Sequence, residues 1–174
     1  MILKEIKGLG TQKFVVSLDM DGVLADFEGK VLEIFGKVPS EIPSRELWSS
    51  ISRYDKEVEP FFETLPMLPD AKELINFVDQ NFAEWNILTA SGYTPKNVAE
   101  QKKKWASKVI SPLVDVIVVR KSDEKARHAG KNAVLVDDRM KSIAPWRSAG
   151  GIGILHTSAK QSIMELQALI SKGS

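Results

Sequence analysis

The chain contains no cysteine. That excludes disulfides, thiolate metal sites and a cysteine nucleophile, and says little about compartment. It also has almost no net charge: 24 Lys and Arg against 23 Asp and Glu give a formal +1. No overall field therefore draws it to DNA or to an anionic membrane, and no strong nucleic-acid signal is present. No apolar stretch approaches the roughly 20 residues of a membrane span. The N-terminus lacks the apolar run of a signal peptide, so a soluble cytoplasmic protein is expected. Nothing repeats and no segment is low-complexity. The 174 residues suit one compact domain, or a domain with a small insertion.

What is present is a rhythm of short apolar runs and helical patterns. Phe14–Leu18, Trp85–Leu88, Val114–Val119, Ala133–Val136 and Gly151–Leu155 are almost continuously apolar, as strands buried on both faces require. Between them, Asp70–Phe82 carries Leu74, Ile75, Val78 and Phe82 at helical spacing. Thr94-Pro95 reads as an N-cap followed by Pro at the first helical position, opening a helix to about Lys108. Met140–Ala149 and Ser158–Ser171 supply two more. Such alternation predicts an α/β fold with a doubly wound, parallel, Rossmann-like sheet.

Residues 26–68 break the rhythm. They are too long for a single crossover and hold Phe27, Phe35, Trp48, Tyr54, Phe61 and Phe62. The segment is expected to be a small, mainly helical cap, most of its rings forming a mini-core of their own. The domain reading is then residues 1–25 and 69–174 as core and 26–68 as inserted cap, with residues 1–12 either a tail or an edge element.

The first apolar run leads straight into Asp19-Met20-Asp21-Gly22. Unpaired buried carboxylates cost several kcal/mol or shift their pKa, so two of them at a strand end call for a function. In extended backbone, residues i and i+2 point the same way. Two carboxylates on one side can share a divalent cation or serve as nucleophile and acid. Gly22 permits a tight turn there.

In open parallel sheets, ligands bind outside the carboxyl ends of the strands. The other runs end there in Thr89-Ala90-Ser91-Gly92, Arg120-Lys121 and Asp137-Asp138-Arg139. That inventory suits phosphoryl transfer. Asp19 and Asp137 offer hard oxygens for Mg²⁺, Thr89 a hydroxyl for a phosphoryl oxygen, and a lysine the neutralising charge. His128 and His156 lack partners at metal-ligand spacing and read as surface or rim residues.

Asp19-Met20-Asp21-Gly22-Val23-Leu24-Ala25-Asp26-Phe27 resembles the first motif of the haloacid dehalogenase (HAD) superfamily. Within it the chain resembles the 5′(3′)-deoxyribonucleotidases, through Phe61-Phe62-Glu63, Leu68-Pro69, Ile87-Leu88-Thr89 and Val134–Arg139. The resemblance implies a Mg²⁺-dependent phosphomonoesterase for (deoxy)nucleoside monophosphates. Asp19 would be the nucleophile, and Asp21 the acid and then the base. Asp19, the Asp21 carbonyl and Asp137 would hold the metal, with Asp138 behind them or a weaker contributor. Thr89 would be the second-motif hydroxyl, with Ala90, Ser91, Arg120 and Lys121 near the phosphate. Lys102, in Lys102-x-x-Trp105, would be the third-motif lysine, with Lys121 as the other candidate. Phe27, Trp48 and Phe61 or Phe62 would form the nucleobase pocket, for which stacking is a physically reasonable mode.

The chain departs from the family in Ala90, where Thr-Ser is usual, and in a longer Ser122–Asn132 stretch. Those departures bear on the substrate rather than on the reaction. Two alternatives stay open: a HAD phosphatase for another small ester or a nucleic-acid end, and a non-catalytic phosphate- or partner-binding protein on this fold. A homodimer through the outer helices is compatible with the sequence but has no signal of its own.

Overall fold

A computed structural model describes residues 14–172; the expectation for residues 1–12 lies outside them. Five parallel strands form one sheet: β1 (Val15–Leu18), β2 (Glu84–Ala90), β3 (Val116–Val119), β4 (Ala133–Asp137) and β5 (Ile152–Leu155), in the order β3-β2-β1-β4-β5. Both central neighbours of β1 are parallel crossovers, and the chain direction of the winding reverses there. The carboxyl end of β1 is therefore the switch point at which such sheets bind ligands.

Alternation along the strands sorts side chains to two faces. Val16, Leu18, Ile87, Val134 and Val136 belong to one large buried cluster, and Leu88 and Leu135 to a smaller one with Ile143 and Trp146. The large cluster is covered by α1 (Phe27–Phe35), α2 (Ser44–Glu57), α3 (Ala71–Asn81), α4 (Val98–Val109) and α6 (Ala159–Lys172). The smaller is covered by α5 (Met140–Ser148), which packs against a 3-10 turn over Ser122–His128.

Three expectations change. The helix after β2 begins at Val98, with Asn97 at the N-cap position. Thr94 and Pro95 lie in the loop before it, where Thr94 lines the cavity described below. The mini-core of residues 26–68 is not separate: Val31, Leu47, Ile51, Phe61, Phe62 and Leu65 join the large cluster over the sheet. A segment of only about 40 residues buries too little surface to sustain a core alone. His156 is not at the surface. It is buried, its Nδ1 is 2.7 Å from Ser162 Oγ, and burial lowers its pKa.

Candidate active site

The strand conformation of β1 ends at Leu18, so it is not a continued strand that sets Asp21 beside Asp19 at one cavity. Instead, Leu24 and Ala25 amides turn back onto the Met20 carbonyl, and Met20 is fully buried in the large cluster. The two aspartates then meet different cations, brought in from opposite faces of the sheet.

Asp19 meets Lys125. The Lys125 ammonium donates to Asp19 Oδ1 and to Asp137 Oδ2, both at 2.7 Å. All three residues are buried. Burial opposes the charged ammonium, but the two carboxylates outweigh it and its pKa is raised. Asp137 Oδ1 also accepts from the Arg139 amide at 2.9 Å. Burial, and then the Asp19 charge, raise the Asp137 pKa in spite of Lys125.

Asp21 meets Lys102 on α4. Lys102 Nζ donates to Asp21 Oδ2 at 2.8 Å, to Thr89 Oγ1 at 2.9 Å and to the Ala90 carbonyl at 2.7 Å. Its side chain is 2 % exposed, and its ammonium lies 5.1 Å from the Phe62 ring centroid. Trp105, one turn on, is buried and donates to the Leu65 carbonyl. Lys103 and Lys104 face solvent. The other oxygen of Asp21, Oδ1, is buried without a hydrogen-bond partner. That desolvation pushes the Asp21 pKa above the usual carboxylate range, against the pull of Lys102.

Asp138 completes an acidic group. Asp19, Asp137 and Asp138 each offer an oxygen within 4.8 Å of the others. Asp138 is exposed as a residue, but its carboxyl turns in over Gly22. A Cβ on Gly22, whose φ is +81°, would lie 2.2 Å from Asp138 Oδ2. Desolvation, then the Asp19 and Asp137 charges, push the Asp138 pKa up to about 7. These three carboxylates, two of them paired to one ammonium, form a donor set that suits a hard divalent cation such as Mg²⁺. The Asp21 side chain lies outside this group, held by Lys102, while Asp138 lies within it.

These groups open into a cavity of about 650 Å³. Thr89, Ala90, Ser91, Arg120 and Lys121 line it, as the sequence suggested, together with Asp19, Asp21 and Lys102. Trp48 and Phe62, from the 26–68 segment, also line it. Phe61 and Phe27 do not. Phe61 is fully buried behind the wall, edge-on to Phe62 and 4.9 Å from the Lys30 ammonium. Phe27 stacks on Phe62 at 6.0 Å. Of the two lysines weighed from sequence, Lys102 is at Asp21 and Lys121 is on the exposed rim. Neither touches Asp19; Lys125 does. Its neighbours Asp123, Glu124 and Arg127 disguise it as part of a solvated charge run. The available signal was topological. The segment leaving β3 starts at the same sheet edge as Asp19, so a cation one turn along it can reach that aspartate.

No curated protein matches the sequence. The fold resembles a HAD family hydrolase from Deinococcus radiodurans R1, solved with bound phosphate and sodium. The identity is 12 %, the TM-score 0.55, and 94 % of this chain and 97 % of that one are covered. A HAD-superfamily hydrolase from Ehrlichia chaffeensis is similar at 14 % identity and TM-score 0.55, covering 94 % and 100 %. An L-2-haloacid dehalogenase matches at 9 % identity and TM-score 0.56, covering 90 % and 100 %. At these identities the likeness establishes the fold, and a dehalogenase among the matches shows that the fold alone does not choose the reaction. The family does: residues 13–168 match the model of the 5' nucleotidase, deoxy (Pyrimidine), cytosolic type C proteins. The chain belongs to that family of phosphoric monoester hydrolases, built on the HAD fold.

Proposed function

We propose that the protein is a Mg²⁺-dependent phosphatase of (deoxy)nucleoside monophosphates in which Asp19 is the nucleophile and Asp21 the acid and base. The observation that carries this reading is the unequal treatment of the two aspartates. Asp19 is neutralised by a buried ammonium, which lets a carboxylate coexist with an incoming phosphate dianion. Asp21 keeps one buried oxygen unpartnered and its pKa raised, as a group that must hold and give up a proton requires.

In the first half-reaction an Asp19 oxygen bonds to phosphorus and the ester P–O bond breaks. The leaving oxygen takes the proton of Asp21. In the second, Asp21 accepts a proton from water as the water oxygen attacks phosphorus. The acyl phosphate bond breaks, releasing inorganic phosphate and restoring the Asp19 carboxylate. Lys125 keeps Asp19 and Asp137 in place and supplies positive charge beside the transferring group, the part assigned from sequence to Lys102 or Lys121. Lys102 holds the Asp21 carboxyl by Oδ2, while Oδ1 stays buried and without a hydrogen-bond partner. Thr89 is fixed by Lys102 with its hydroxyl at the phosphate end. A divalent cation held by Asp19, Asp137 and Asp138 would screen the repulsion between nucleophile and phosphate.

Residues 26–68 serve as the cap. Trp48 and Phe62 present ring surface to the cavity, suited to a nucleobase; Phe27 and Phe61 back that wall. Phosphate release from 5′- and 3′-, ribo- and deoxyribonucleoside monophosphates, with Mg²⁺ and with EDTA, tests the reading. Mg²⁺-dependent turnover of nucleotides that Asp19→Asn abolishes is expected. Turnover confined to generic aryl phosphates would remove the nucleotide from the reading and keep the chemistry.

A further inference from the structure

Lys102 has a neighbour on α4 that the chemistry above does not use. Gln101 is 3 % exposed, yet every polar atom of its amide is engaged. Its Oε1 accepts from the Phe62 amide at 2.8 Å and from the Glu63 amide at 3.3 Å. Its Nε2 donates to Asp55 Oδ1 at 2.6 Å, and that same oxygen accepts from the Phe61 amide at 2.9 Å. One core side chain thus ties together the helix α2 and the returning chain of the 26–68 segment. One and two turns further along α4, Trp105 bonds the Leu65 carbonyl and Lys108 pairs with Glu63. The i, i+4, i+7 spacing places these three fastenings along one side of the helix. Lys102, one residue from Gln101, aims into the cavity instead and lies under the Phe62 ring.

We propose that Gln101 is a positioning residue: the buried Asp55–Gln101–Phe62 junction holds the aromatic wall of the 26–68 segment shut against α4, over Lys102. The same helix then carries both the ammonium that grips Asp21 and the fastening of the wall that the substrate's leaving group meets. A buried amide of this kind is costly to leave half-satisfied. Its bonding to Asp55 and to the Phe62 and Glu63 amides, 38 to 46 positions away in the chain, is a specific arrangement rather than general packing. The junction rests on the nucleotide reading only for the identity of the leaving group.

The test uses Gln101→Glu. The carboxylate retains an acceptor for the Phe62 and Glu63 amides but sets a second carboxylate against Asp55. Adding Asp55→Asn restores a donor across the contact. Amide hydrogen exchange at Phe62 and Glu63 reports the junction itself. Kinetics with a nucleoside monophosphate and with acetyl phosphate, which has no ring to lay against the wall, report its consequence. Gln101→Glu is expected to accelerate exchange at both amides and to raise the nucleotide KM about tenfold or more. Acetyl phosphate turnover should stay within about threefold of wild type, and the double variant should recover most of the KM. Unchanged exchange, unchanged nucleotide KM despite faster exchange, or equal losses on both substrates would overturn the proposal. Failure of the nucleotide reading shows in the wild-type enzyme, as acetyl phosphate turnover without nucleotide turnover. The junction is then judged on exchange alone: acceleration reversed by Asp55→Asn supports it, and no acceleration overturns it.

Discussion

Lys125 Nζ lies 2.7 Å from Asp19 Oδ1, a contact between residues 106 positions apart in the chain. The same ammonium holds Asp137. Lys125→Met leaves two buried carboxylates facing each other without that charge. Turnover is expected to fall by about 10²–10³-fold or more, the scale of losing one preorganised charge at the reacting centre. Thermal melts should show a lower Tm in EDTA, with part of the loss recovered by Mg²⁺, because a cation can replace the missing charge.

Lys102 and Lys121 separate cleanly by burial. Lys102→Ala removes the partner of Asp21, Thr89 and the Ala90 carbonyl together. A loss of about 10²–10⁴-fold in kcat is expected if Asp21 is the proposed acid and base, since that grip positions its carboxyl. Lys121 is exposed, and Lys121→Ala should change kcat by no more than about threefold at ordinary salt. Steady-state kinetics of the two variants side by side check the ranking.

Asp138 gives the acidic group proposed to hold the metal a pH signature. Its folded pKa, about 7, is raised from 3.8. With the metal absent, the unfolded chain ionises this group first as pH rises. Its contribution therefore favours the fold below about pH 4 and is lost as pH rises to 7. A divalent cation binds the ionised form and must displace the proton below pH 7. The Mg²⁺-induced rise in Tm should be larger at pH 8 than at pH 6. In Asp138→Asn that difference should shrink, and the metal-free protein should gain Tm at pH 8.

Gly22 combines a positive φ with the close approach of Asp138. Gly22→Ala strains the backbone and displaces that carboxylate at once. A destabilisation of about 1–3 kcal/mol is expected, with weaker Mg²⁺ stabilisation in the same melts.

The strand–helix rhythm was legible because strands buried on both faces must be apolar throughout, and the site lay where four such strands ended in polar residues. The helical character of residues 26–68 was legible from the segment's length and aromatic content. Its continuity with the main core was not, because periodicity does not say which face meets which neighbour. Asp19 and Asp21 line one cavity with Met20 buried between them; their separate partners were not legible, because Lys125 and Lys102 come from distant segments. Lys125 was missed because a short 3-10 turn carries no periodic signal, and its flanking charges match a solvated surface. His156 was misplaced for a simpler reason: a single Ser162 hydroxyl six residues on satisfies it in the interior, and no spacing rule reveals that pair.

The most direct measurement is mass spectrometry of enzyme acid-quenched during turnover of an aryl phosphate, in wild type and in Asp21→Asn. An aryl leaving group needs little protonation, so the variant should still be phosphorylated but should hydrolyse the acyl phosphate slowly. The expected result is one phosphoryl group on the peptide containing Asp19, more abundant in Asp21→Asn than in wild type. Turnover with no phosphoryl group on that peptide, or with the group on another residue, would contradict Asp19 as the nucleophile.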